Sequence, residues 1–193
     1  EDHIPIHHTN EIAQSEGAFG KKFANYWMHT AFLNVDGRKM SKSLGNLYTL
    51  SDLADMGYSP LCLRYLLLKG DYKKPFDFTW ESLHNATNEL VILWKSIGAL
   101  KTGEGEVIDS FKKAFLEAMD DSFNTAKVMS YLWEVLRSDN RDEDKVVTLS
   151  YFDKVIGLDL MNSQYQLCVL EDLQNIDPLK KQEARLLLVD REK

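Results

Sequence analysis

Residues 39–43 read Lys39-Met40-Ser41-Lys42-Ser43 and run on into Leu44-Gly45-Asn46. Two lysines three apart on a loop place two ammonium point charges around a single polyphosphate. The serines add hydroxyl donors, and Gly45 lets the loop bend. Such a loop can close on a polyphosphate and stabilise charge developing on departing pyrophosphate. That is electrostatic catalysis by positioned cations, with no covalent step. A lone Lys-x-x-Lys is more often a solvated basic turn. Here the pentapeptide follows a strand-like run, Ala31-Phe32-Leu33-Asn34-Val35, and an Asp36-Gly37 tight-hairpin signal, which together favour a binding loop.

Upstream of the loop, residues 1–47 are dense in polar and special residues and hold four of the five histidines. His7-His8-Thr9-Asn10-Glu11 leads into Ile12-Ala13 and reads as the start of a helix. His7 and Glu11, four apart, then share a face. An imidazole and a carboxylate so placed can hold a zinc ion, but two ligands do not make a site. Taken alone, this spacing is more often plain surface polarity, and the adjacent His8 competes for the role. Asn25-Tyr26-Trp27-Met28-His29 leads into the strand. It reads either as aromatic core packing or as a wall of a nucleotide pocket.

Downstream, Thr49 with Asp52 predicts a capping box, with Gly57 ending that helix. Ser59-Pro60 predicts a second helix start, and Gly70 its stop. Residues 71–79 read as a polar-aromatic connector. Beyond Thr79 the chain reads as helix throughout. Leu83, Ala86, Leu90, Leu93, Ile97 and Leu100 form one amphipathic stripe. Residues 102–105 break it. Ile108, Phe111, Phe115 and Met119 mark another helix, and Asn124 caps the next, through Val128, Leu132 and Val135. Val146, Leu149 and Phe152 mark one more, ending at Gly157. Residues 158–176 are ambiguous, and 177–193 favour helix.

The composition sets limits on function. The 193 residues are 44% hydrophobic, which supports a globular core, and net charge is −7 from 23 basic and 30 acidic residues. Any nucleic-acid contact must therefore come from a local basic patch. Cys62 and Cys168 lie far apart among apolar neighbours and read as buried free thiols, which suits a reducing cytosol. No apolar run approaches the ~20 residues of a membrane span, so no membrane role is expected.

The residues 39–43, KMSKS, match the signature loop of class I aminoacyl-tRNA synthetases. Residues 7–16, HHTNEIAQSE, followed by NYWMH at 25–29 and then the loop, resemble the cysteinyl-tRNA synthetase family. Arg64-Tyr65 with Leu67, Asp71-Tyr72, Phe76-Asp77-Phe78-Thr79, and DDSFNT at 120–125 extend the resemblance, which is dense through residue 136 and thin afterwards. The resemblance implies a mainly α fold in three parts. Residues 1–47 would be the edge of a Rossmann-like catalytic domain with a short hairpin, 48–79 stem-contact helices, and 80–193 a helical bundle of anticodon-binding type.

It also implies ATP-dependent activation of cysteine and its transfer to tRNA(Cys), in a cytoplasmic and monomeric parent. Lys42 and Lys39 would be catalytic, and Lys42, Ser41 and Ser43 would contact ATP. His7 and Glu11 would be zinc ligands for the substrate thiolate. Two departures stand out. The family's HIGH-type motif and its two zinc-binding cysteines are absent, so a C-terminal fragment, inactive by itself, is expected. The alternatives are a cysteine ligase of mycothiol synthesis and a non-catalytic RNA-binding paralogue.

Overall fold

The computed structural model describes residues 3–162. Helix dominates, as the sequence predicts. A π-helical turn, Ile4–His8, runs without a break into α1, Thr9–Phe19. Helix thus begins earlier than the histidine pair alone indicates. Gly20, at φ 61°, ends α1 in the left-handed conformation that a glycine adopts without strain.

A hairpin follows. Strand β1, Leu33–Val35, pairs antiparallel with β2, Arg38–Lys39, across a two-residue turn. Both turn residues have positive φ, Asp36 at 50° and Gly37 at 73°, the geometry that matches the twist of a tight hairpin. The strand is shorter than residues 31–35. The sheet has a third member that the pattern did not reveal. β3, Phe76–Phe78, lies inside the expected connector and pairs parallel with β1, giving the order β2-β1-β3. Residues on both sides of the expected boundary at 47/48 thus share one small sheet.

Between β2 and β3 sit two short helices. α2, Leu50–Asp55, carries the predicted capping box: Thr49 Oγ1 accepts from Asp52 N–H, and Thr49 N–H donates to Asp52 Oδ2 at 2.6 Å. α3, Pro60–Leu68, starts from Ser59, whose side chain accepts from Leu61 N–H. α3 packs on α4, Trp80–Gly98, through Cys62, Tyr65 and Leu66. The Tyr65 hydroxyl donates to Glu89 on α4, which Lys69 also engages at 2.7 Å. Burial pushes that hydroxyl up to about 12, so it remains a donor at physiological pH.

The body is completed by α5, Asp109–Asp120; α6, Thr125–Arg137; and α7, Asp142–Ile156. The expected stripe is the buried face of α4, with Leu83, Leu90 and Leu93 fully enclosed. Asn124 caps α6 by accepting from Lys127 N–H. Gly157 ends α7 at φ 62°. Arg64 of α3 reaches this end and donates from Nε to the Ile156 carbonyl, an α7 C-terminal acceptor that needs a partner. The break at residues 102–105 packs directly on α7. A Cβ on Gly105 would lie 2.5 Å from the Glu143 carbonyl carbon, so only glycine fits there. The expected helix at 177–193, most of the ambiguous stretch 158–176, and Cys168 lie outside the described residues.

One hydrophobic core runs from Val35 to Leu160. Ahead of Leu53, Val35 is the sole buried residue among those described. Residues 3–50 therefore stand on the body as a largely exposed lobe.

Candidate functional site

The lysine loop leaves β2 and rejoins the body at α2. Ser41 is extended, and its Oγ accepts from Ser43 N–H at 3.2 Å, capping a single 3-10 turn, Lys42–Leu44. Gly45, at φ 62°, reverses the chain. Asn46 then points back: Oδ1 accepts from Ser41 N–H at 2.8 Å, and Nδ2 donates to the Lys39 carbonyl at 3.2 Å. Met40 packs against the core. The loop is therefore folded and anchored. Lys39 and Lys42 are exposed, and neither forms an ion pair among the described residues. Two unneutralised ammonium groups on an ordered turn suit a polyanion. The Ser41 and Ser43 hydroxyls lie 2.8 Å apart and bond to each other.

His7 lies in the last turn of the π-helical segment and Glu11 in the first turn of α1, so both sit on one continuous helical stretch, and both are exposed. Nitrogen and carboxylate donors of this kind fit a zinc ion as two of its ligands. Among the described residues, no group of three or more His, Cys, Asp or Glu is placed to hold a metal. The neighbouring histidine is engaged elsewhere: His8 Nδ1 and His29 Nε2 lie 3.0 Å apart, and Trp27 packs on both rings. The His7 ring instead faces His3, with centroids 4.9 Å apart.

Among the described residues, nothing buries residues 25–29 in a core. Tyr26 is 94% exposed and Met28 59%, and Trp27 meets histidines and Phe23 on the surface. The cause is the lack of any element packed over this segment among the described residues. A local pattern of aromatics cannot reveal whether a partner surface covers it.

Two contributors escaped the sequence reading. The motif pattern assigns Asn46 no role, although a carboxamide three residues past Ser43 is a ready donor and acceptor for closing a turn. Asp77 was part of a matching string only; it fastens the hairpin that feeds the loop, accepting from Gly37 N–H.

A mainly helical body carrying a KMSKS loop directly behind a hairpin defines the class: these are the features of a class I aminoacyl-tRNA synthetase. Residues 1–88 match the family model of the class I (C) tRNA synthetase catalytic domain, and residues 114–158 match that of the DALR domain. A cysteine–tRNA ligase of Geotalea daltonii is 40% identical over 163 residues, covering 72% of this chain and 33% of the relative. One from Streptococcus agalactiae is 44% identical over 133 residues, covering 68% and 30%. One from Nitratidesulfovibrio vulgaris is 37% identical over 178 residues, covering 82% and 36%. The chain belongs to the cysteinyl-tRNA synthetase family. It spans about a third of the length of the curated relatives it matches.

Proposed function

We propose that this chain is the loop-bearing and helical part of an ATP-dependent cysteine–tRNA ligase. In the first step the cysteine carboxylate attacks the α-phosphorus of ATP, the bond to the β-phosphate bridging oxygen breaks, and pyrophosphate leaves. In the second, a hydroxyl of the tRNA(Cys) 3′-terminal ribose attacks the activated carbonyl and AMP leaves. The ordered KMSKS turn with its two unneutralised lysines carries this reading.

Lys42 supplies a positive charge to the departing pyrophosphate, and Lys39 supports it from the strand side of the turn. Negative charge grows on the leaving group as the bond breaks, so these contacts strengthen in the transition state and act on rate more than on ground-state binding. Ser41 and Ser43 exchange their mutual hydrogen bond for phosphate oxygens. His7 and Glu11 would hold a zinc ion, which when bound offers a soft thiolate a preferred partner and so separates cysteine from serine.

On this reading residues 1–47 would serve as the catalytic edge, 48–79 as the stem contact, joined to it through β3, and 80–193 as the tRNA(Cys)-binding helical bundle of a monomeric cytoplasmic protein. No helix among the described residues is long and apolar enough to cross a membrane. The mycothiol ligase and the non-catalytic paralogue draw no support from the named relatives.

Cysteine-dependent ATP–pyrophosphate exchange by the full-length polypeptide that carries this chain tests the proposal. Lys42→Ala should lower kcat about a hundredfold, the scale of losing one preorganised charge-stabilising group, with little change in cysteine KM. Equal losses in both would reduce Lys42 to a plain binding contact. The 193-residue chain alone should show no exchange above background.

A further inference from the structure

The polyphosphate reading uses the lysines and serines of the loop but leaves unexplained the side chain that makes its longest reach. Asn46 lies past the turn, carries no charge, and is half-buried. Its Oδ1 takes the Ser41 N–H, and its Nδ2 donates to the Lys39 carbonyl. One planar group thus grips the backbone on both sides of Met40. The lysines stem from the first gripped residue and from the residue just beyond the second. Gly45 makes this possible, because its left-handed φ of 62° turns the chain so that Asn46 faces backward.

A lysine ammonium is a point charge on a flexible four-carbon stem, so its position is only as well defined as its main-chain attachment allows. Two such charges act on one anion as a unit when their attachment points are held at a fixed separation. In this loop, the Ser41 cap fixes residues 41–44, and Met40 is held by the core. Among the described residues, only the Asn46 carboxamide ties the Lys39 end of the turn to the Lys42 end through side-chain hydrogen bonds. A carboxamide donates from one atom and accepts at another; a carboxylate or ammonium in its place would lose one of the two bonds and add a charge beside the lysines, and a hydroxyl would have to make both from a single oxygen.

We propose that Asn46 is a positioning residue of the polyphosphate loop, holding Lys39 and Lys42 in the relative placement that lets both ammonium groups meet one pyrophosphate. The inference rests on the proposed role of the loop. It adds a determinant of affinity that touches no substrate.

The test uses the isotope-labelled 193-residue chain and inorganic pyrophosphate as the probe, at fixed ionic strength. Backbone NMR follows loop amide shifts during titration and amide-exchange protection at Ser41. Signals from α4 to α7 in the same spectra report whether each variant is folded. The wild-type chain should show saturable shifts at Lys42 and Ser43. Asn46→Leu, close to asparagine in shape, should lose Ser41 protection and weaken pyrophosphate about tenfold. Lys42→Ala should weaken pyrophosphate while leaving Ser41 protected.

If Asn46→Leu frees the Ser41 amide but binds pyrophosphate like wild type, the carboxamide only braces the loop, and the inference is overturned while the loop's role stands. Retained Ser41 protection in that variant would also overturn it. Should Lys39→Ala and Lys42→Ala both bind like wild type, the polyphosphate role of the loop fails, and the inference with it.

Discussion

Gly37 donates its backbone N–H to Asp77 Oδ1 at 2.8 Å, across 40 residues of sequence. The bond joins the tip of the β1–β2 hairpin to β3. Two backbone contacts flank it, Asp36 N–H to the Phe78 carbonyl and Phe76 N–H to the Phe32 carbonyl, both at 3.0 Å. The lysine loop thus grows from a turn locked to the strand that leads into α4. Asp77→Ala should destabilise the chain by about 1 kcal/mol, the net worth of an exposed hydrogen bond. Gly37→Ala meets no neighbouring atom, so its cost is the backbone strain of φ 73° alone, roughly 1 kcal/mol. Urea denaturation of both variants measures these losses. A neutral Asp77→Ala would show that the sheet backbone suffices.

Cys62 is fully enclosed at the α3–α4 contact, and burial pushes its thiol up. A thiolate is the reactive species, so both factors protect this residue. In a Cys168→Ser background, Cys62 should react with an aromatic disulfide reagent only at the rate of unfolding. The measurement is absorbance against time, with and without denaturant. Fast labelling under native conditions would mean that α3 opens locally without global unfolding.

The helical body was legible because its signals are local. The capping box at Thr49, the caps at Ser59 and Asn124, and the α4 stripe are settled within a few residues of sequence. Strand β3 was not legible: three residues of Phe-Asp-Phe carry too little periodicity, and their pairing with β1 is made across more than forty residues. The lobe before Leu53 was legible as chemistry and not as packing. KMSKS announced two lysines on a bent loop, and Gly45 does bend it. The wide exposure of Tyr26 and Met28 could not be read from their neighbours. Likewise, the sequence offered His7 and His8 as competitors, and only the fold shows that His8 is engaged with His29 and Trp27.

The α2 capping box gives a pH dependence of known sign. Hydrogen bonds from the Thr49 backbone and side chain hold the Asp52 carboxyl below its ordinary value. A carboxyl with a lowered folded pKa contributes stability that is fully present above the unfolded pKa, near 4. That stability is lost as pH falls through the lower, folded value. Asp52→Asn should therefore cost about 1 kcal/mol or less at pH 7, the scale of a helix cap. The gap between variant and wild type should close on acidification below about pH 4. Thermal unfolding at several pH values reads this directly. A gap that widened in acid would mean that the carboxylate is not the favoured form in the folded chain.

The zinc reading makes the sharpest demand on residues 3–20. His7 and Glu11 offer one nitrogen and one carboxylate donor on one helical stretch, and the described residues bring no third ligand beside them. A structural zinc site closes with four ligands, and a catalytic one with three and an open position. Two bonds provide too little to offset dehydration of the ion, and both donors are exposed to competing water. The purified 193-residue chain should consequently retain well under one equivalent of zinc after dialysis. His7→Ala should remove what remains, while His8→Ala should leave it, since His8 is tied to His29. In the full-length polypeptide, with further ligands supplied, His7→Ala should strip the metal and erase discrimination of cysteine from serine together. Metal content by atomic absorption, beside serine-dependent exchange, reads both effects. Stoichiometric zinc in the isolated chain that survives His7→Ala would transfer the ligand role to another residue, with His8 the first to substitute.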